Sequence, residues 1–195
     1  MTPLIVMGAS TGGPAALREI FTGMPRLHAA ILLVQHMPAF INRSVVATLA
    51  RISELDVVLA EDGETLAPGR LVVAPSGRHM TLEAGRTIRL ADGEPVQFVC
   101  PSVDVLMRSL SGASGTALTG IVLTGMGSDG ADGLAHMKAL GAETIVQNEA
   151  SCAVFGMPKR AIERGGVDRI LEPRQIAARI REIGGGRSLG QAVRA

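Results

Sequence analysis

The chain has 195 residues, 47% of them hydrophobic, and 19 Lys and Arg against 18 Asp and Glu give a net charge of +1. That size and apolar content suit one ordinary domain with a full core, and the near-neutral balance excludes a bulk basic field for nucleic acid or anionic membrane. Trp and Tyr are absent and four Phe remain, which argues against base-stacking platforms.

The first apolar run, Leu4-Ile5-Val6-Met7, stops at Gly8 and predicts a buried strand. Pro14 opens a helix at the first-turn position, where its missing N–H costs nothing. The apolar face of that helix runs through Leu17, Ile20 and Phe21 to Gly23. Ala30-Ile31-Leu32-Leu33-Val34 predicts a second strand, followed by a helix with Val45, Val46 and Leu49 on one face. Asp56–Leu59 and Arg70–Ala74 read as two more strands.

A different texture follows. Met80-Thr81-Leu82, a turn at Glu83-Ala84-Gly85 and Thr87-Ile88-Arg89-Leu90 alternate in polarity, as in an antiparallel hairpin with one solvated face. Ser102 caps a helix whose apolar side carries Val103, Leu106 and Leu110. Leu118–Leu123 is then a strand, Ala131–Leu140 a helix and Glu143–Val146 a strand. A short helix at Pro158–Arg164, a strand at Val167–Leu171 and a Pro173-initiated helix complete the series. Residues 184–195 are Gly-rich and predict a flexible tail, which leaves 1–183 as the folded domain.

Alternating strands and helices predict an α/β fold: a three-layer, mostly parallel, doubly wound sheet with an appended antiparallel hairpin. No apolar run approaches the roughly 20 residues that cross a bilayer, and no signal peptide opens the chain. Cys100 and Cys152 form neither a CxxC nor a metal spacing, so the expectation is two reduced thiols in a cytoplasmic protein.

In doubly wound sheets ligands sit beyond the C-terminal ends of the strands, so the polar residues just after each apolar run carry the functional signal. The first run delivers Gly8-Ala9-Ser10-Thr11-Gly12-Gly13, where Gly8-x-Ser10-x-Gly12 fits a nucleophile elbow. In such an elbow the N–H after the nucleophile, here that of Thr11, donates to the oxyanion. The same Gly/Ser-rich turn also suits a nucleotide phosphate, and that alternative begins ahead. The second run ends Gln35-His36-Met37-Pro38, where a dinucleotide site would place an acid for the ribose, and Gly8, Gly12 and Gly13 break the G-x-G-x-x-G spacing. Both facts favour acyl transfer.

A third run leads into Thr124-Gly125-Met126-Gly127-Ser128-Asp129-Gly130. Asp129 is either a helix N-cap or the carboxylate that accepts Nδ1–H of His36 and fixes its tautomer. Ser10, His36 and Asp129, each after its own strand, make a candidate triad in a chain order unlike the familiar ones. His79 reads as a loop residue near the same cleft, and His28 and His136 carry no assigned chemistry. A metal site from His36, His79 and Asp129 lacks supporting ligand spacing, so no metal is expected.

At these residues the chain resembles the catalytic domain of chemotaxis protein-glutamate methylesterases, the CheB family. The matching stretches are Gly8–Gly13, Gln35–Pro38, Pro101–Leu106, Leu123–Ala131, Gln147–Cys152 and Phe155–Pro158, in family order from Leu4 to about Ile180. The resemblance implies a cofactor-free serine hydrolase that releases methanol from methylated glutamates on chemoreceptor cytoplasmic helices, and that deamidates certain glutamines there. It implies Ser10, His36 and Asp129 as the triad. It also places Thr11 and Met126 in the active-site shell, with main-chain N–H groups of this rim as oxyanion donors. Usual members carry an N-terminal phosphorylatable receiver domain; here the first strand starts at residue 4, so the expectation is a chain without it. Ser128 stands where many members have Asn.

Overall fold

Continuous apolar runs, flanked by glycine and proline, become the inner strands of one sheet. In the computed structural model, which describes residues 2–83, 86–111 and 117–185, strand β1 (Leu4–Ala9) and strand β2 (Ala30–Gln35) are buried at every position. The other strands of this sheet are β3 (Asp56–Leu59), β4 (Arg70–Val73), β7 (Leu118–Val122), β8 (Glu143–Gln147) and β9 (Arg169–Leu171). The order is β3-β4-β2-β1-β7-β8-β9, and every neighbouring pair is parallel. The fold class is the α/β arrangement expected, with the main sheet entirely parallel.

Side chains alternate across the sheet and build two cores. Ile5, Met7, Ile31 and Leu33 pack with Leu17, Ile20 and Phe21 of α1 (Gly13–Phe21), Leu49 of α2 (Asn42–Ile52) and Ile176 and Ile180 of α6 (Pro173–Gly184). On the other face Val6, Leu32 and Val34 pack with Leu106 of α3 (Val103–Arg108), Leu134 of α4 (Ala131–Ala139) and Met157 of α5 (Met157–Glu163). Fully burying one such side chain stabilises the fold by roughly 1.5–3 kcal/mol, so strands buried on both faces are the most strongly specified elements.

The hairpin, β5 (His79–Glu83) paired antiparallel with β6 (Thr87–Ala91), is a separate two-stranded sheet rather than an extension of the main one. Met80, Leu82, Ile88 and Leu90 face the core while Glu83 and Arg89 face water, as the alternation requires. Residues 84–85 of the expected turn and the tail from 186 onward lie outside the described residues. Strand β9 is shorter than expected and starts only after Asp168, whose N–H still donates to Thr144 O at 3.0 Å. The Asp168 carboxylate accepts from Thr144 N at 3.0 Å and Thr144 Oγ1 at 2.8 Å.

The connectivity positions the site. From β1 the chain passes to β2 on one side, goes out to the edge strand β3 and returns to fill the gap with β4, then crosses over to lay β7 against the other side of β1. Beyond the C-terminal end of β1 the flanking connections therefore diverge, leaving the crevice in which doubly wound folds bind ligands.

Candidate active site

The segment after β1 turns sharply into α1. Gly12, the N-cap, has φ +82°, a left-handed conformation that costs glycine little. Ser10 is held by its own backbone: its N–H donates to Thr124 O at 3.0 Å, and its carbonyl accepts Gly13 N at 2.8 Å. Gly125 is close by, where any side chain would press its Cβ to 2.7 Å from Ser10 Cβ and 2.3 Å from the Met157 sulfur. The turn is thus packed from the β7 side by backbone.

Residue 36 arrives by register. The β1–β2 ladder pairs Ala9 with Gln35, and its last rung is His36 N donating to Ala9 O at 2.9 Å. Ser10 and His36 are consequently the first residues past the paired strands, side by side.

Asp129 comes from the loop between β7 and α4, and its carboxylate does not cap its own helix. The N-cap of α4 is Gly130 at φ +93°, without a side-chain cap. The Asp129 carboxylate instead lies against the start of α3, where Oδ1 accepts from Ser102 Oγ at 2.7 Å and Asp104 N at 3.0 Å. Oδ2 accepts from Val103 N at 2.7 Å and His36 Nε2 at 2.9 Å. Asp129 is 3% exposed. Burial alone would push its carboxyl pKa upward, but the bonds from His36, Asp104 N, Ser102 and Val103 N outweigh it and hold the group below the usual carboxylate range.

The structure therefore joins His36 to Asp129 and sets Ser10 beside His36. Among the described residues the Ser10 hydroxyl has no hydrogen bond to either partner. One expectation needs correction: the ring nitrogen facing Asp129 is Nε2, not Nδ1. The sheet order explains it. β2 and β7 flank β1 on opposite sides, about two strand spacings or ~10 Å apart, so the imidazole must span β1 and meets Asp129 with the nitrogen farther from its backbone. A neutral ring donating from Nε2 keeps its lone pair on Nδ1.

A second correction concerns His79, which is the first residue of β5 rather than a loop residue, and is buried. Its Nδ1 accepts Ser102 N at 3.2 Å and its Nε2 lies 3.1 Å from Glu94 O, so it braces the residue that donates to Asp129. His28 is exposed, and His136, on α4, has Nε2 at 3.0 Å from Leu110 O.

The rim carries N–H groups free to meet a substrate. Among the described residues the backbone N–H of Thr11, Gly12, Met126 and Gly127 has no acceptor in the protein. Thr11 is exposed, and the Met126 side chain is 75% exposed. Thr124 Oγ1 donates toward Thr11 O at 3.0 Å and accepts Val154 N at 3.0 Å, tying the Ser10 turn to the β8–α5 loop. No group of three or more His, Cys, Asp or Glu among the described residues is placed to hold a metal ion.

Sequence reasoning missed the supporting shell. Asp104 is buried, and its Oδ1 accepts Gly130 N at 3.0 Å and Gly133 N at 2.6 Å, capping α4 from within α3. Burial, chiefly, with the nearby Asp129 and Asp132 charges, raises its pKa against the opposing pull of those backbone bonds. Nothing in the local pattern marks Asp104 as anything but a first-turn helix acid. Ser102 was legible as a cap, and its hydroxyl does accept Val105 N at 3.3 Å while donating to Asp129.

A parallel doubly wound sheet with serine, imidazole and a buried carboxylate at its switch point defines a class: α/β proteins that carry their polar site at the strand ends. Comparison with known proteins gives the family. The CheB methylesterase family model matches residues 5–180, and this chain belongs to that family. A protein-glutamate methylesterase/protein-glutamine glutaminase of Pectobacterium atrosepticum is 44% identical over 190 residues, covering 95% of this chain and 54% of the relative. The protein of the same name from Salmonella typhimurium is 43% identical over 195 residues, covering 98% and 55%. The chain thus spans about half the length of these curated relatives. The crystal structure of the Thermotoga maritima CheB methylesterase catalytic domain superposes with a TM-score of 0.89 at 35% identity, covering 94% of this chain and 99% of that one.

Proposed function

We propose that this chain is the catalytic unit of a protein-glutamate methylesterase: a serine hydrolase that demethylates glutamate methyl esters on chemoreceptor cytoplasmic helices. The observation that carries the reading is the bond between half-buried His36 and buried Asp129, 2.9 Å long, set beside Ser10 by the β1–β2 register. Asp129 holds Nε2–H, so Nδ1 of His36 is the atom that takes the Ser10 proton. Ser10 Oγ attacks the ester carbonyl and forms the tetrahedral oxyanion. The C–O bond to the methoxy group then breaks, and His36 returns its proton to release methanol. Water, deprotonated by His36, attacks the acyl-enzyme, and expulsion of Ser10 Oγ leaves free glutamate.

The unpartnered N–H groups of Thr11 and Met126 suit the oxyanion, and loss of one such donor costs about 10²–10³ in rate. Glutamine deamidation follows the same steps with ammonia as the leaving group. The chemistry calls for no cofactor. Residues 1–183 form the catalytic domain on this reading, and its place is the cytoplasm, where those receptor helices are.

A protein substrate suits the rim. Phe40, after β2, is 83% exposed, Phe98 is fully exposed and Met126 is 75% exposed. Phe98 is set beside the Asp129 loop by its neighbour Gln97, which hydrogen-bonds both Asp104 and Ser128. Exposed apolar side chains gathered round a cleft mark a surface that another protein covers.

Ser10→Ala tests the assignment. The variant should keep the native circular dichroism spectrum and release no methanol from methylated receptor; turnover near that of the unaltered chain would falsify the role of Ser10.

A further inference from the structure

Gln35 is the last residue of β2, 1% exposed, and its side chain lies between the two segments that carry Ser10 and His36. Its Nε2 donates to Ser10 O at 3.0 Å and to His36 O at 2.9 Å. A carboxamide nitrogen has two hydrogens, and both are used, one on each carbonyl. The amide orientation is compelled, because the flipped form would face Oε1 against two carbonyl oxygens. Oε1 points to the start of α1, where a Cβ on Gly13 would fall 2.0 Å from it, and it has no hydrogen-bond partner of its own. A buried acceptor left unpaired is costly, so the amide is not retained for its own comfort.

We infer that Gln35 is a positioning residue for the hydrolytic reaction, cross-linking the nucleophile and the base through their own peptide carbonyls. The inference rests on the serine hydrolase reading above. The β1–β2 ladder ends with His36 N on Ala9 O, and beyond that rung the two chains separate into α1 and into the turn at Ala39–Ile41. Gln35 supplies the tie that the ladder no longer can. The Ser10 carbonyl takes bonds from both Gly13 N and Gln35, and the His36 carbonyl takes one from Gln35, so neither peptide plane is free to rotate. An acid at this position would turn two donors into lone pairs facing two carbonyls, which gives a physical reason for an amide here.

The test compares methanol release from methylated receptor for Gln35→Met (similar volume, no donor), Gln35→Glu (same shape, lone pairs in place of the donors), Ser10→Ala and Leu33→Ala. Leu33 lies two residues earlier on β2, fully buried and away from the chemistry, and controls for loss of strand packing. All are assayed at a temperature where circular dichroism shows the native fold. We expect Gln35→Met and Gln35→Glu to lose kcat by about 10- to 100-fold, the scale of a misplaced reactive group, with KM within about 3-fold. Leu33→Ala should keep kcat in its folded fraction. If Ser10→Ala is inactive while either folded Gln35 variant keeps the original kcat, or loses only in KM, the positioning role is overturned and the hydrolase reading stands. Should one Gln35 variant fail to fold, the other decides alone. If Ser10→Ala itself remains active, the hydrolase reading fails and this inference falls with it.

Discussion

At residue 129 four donors converge on one carboxylate, two on each oxygen. That symmetry makes the isosteric amide a poor substitute: whichever way an asparagine side chain turned there, its NH₂ would confront one backbone N–H, of Val103 or Asp104, and one group, His36 or Ser102, that would have to change from donor to acceptor. Asp129→Asn should lower kcat by about 10³–10⁴, as amides do at the orienting position of such triads. It should also destabilise the fold by about 2 kcal/mol or more at pH 7, because buried donors are left unmet. The pH dependence has a definite sign. A carboxyl whose folded pKa is depressed adds stability that is complete above its unfolded pKa, about 3.9, and is lost as pH falls through the folded value. The stability gap between the original chain and Asp129→Asn should therefore narrow as pH falls below about 4. Urea unfolding at stepped pH measures it, and a gap that persists unchanged at pH 3 would contradict the assignment.

At the scale of elements, α3 and α4 exchange carboxylates. Asp129, just before α4, binds the first N–H groups of α3, while Asp104, in the first turn of α3, binds Gly130 N and Gly133 N of α4. Each acid meets the positive end of the other helix, which suits an anion there. This places the start of α3 hard against β1: a Cβ on Gly8 would sit 2.5 Å from both γ-carbons of Val103. Gly8→Ala must push Val103 away, taking with it the N–H that donates to Asp129. The expected cost is about 1–3 kcal/mol of stability together with reduced kcat. Val103→Ala in the same chain should recover part of both, with a coupling energy of at least ~0.5 kcal/mol in a double-mutant cycle. Strict additivity would show that the two side chains do not share this space.

Across the whole molecule, three described non-glycine residues have positive φ: Arg86, directly before β6, and two neighbours beside the Asp129 loop. Gln97 and Phe98 have positive φ, +50° and +67°, although neither is glycine, and Phe98 is wholly exposed. A left-handed aromatic residue with nothing buried costs the free protein roughly 1–2 kcal/mol, which fits a residue kept for contact with a partner. Phe98→Gly should accordingly raise thermal stability, by up to about 1 kcal/mol, while weakening receptor binding. A KM for methylated receptor raised about 5- to 10-fold, or ~1–1.4 kcal/mol, with kcat little changed is the expected signature. A variant less stable than the original chain, or one with unaltered KM, would remove Phe98 from the docking surface.

Much of this was legible in the linear chain. Apolar runs and their periods, Pro14 and Pro173 at helix starts and the Ser102 cap are local signals, because burial on both faces and backbone capping act over a few residues. The same locality revealed Ser10, His36 and Asp129 as polar residues at strand ends. Which nitrogen of His36 meets Asp129, why Asp129 lies under α3 rather than capping α4, and how Gln35 comes to bridge two carbonyls depend on the sheet order and on contacts between residues 25 to 93 positions apart. Hydrogen bonds of that separation leave no period in a sequence; they exist only once packing has brought the strand ends together, and there the reach of each side chain is decided.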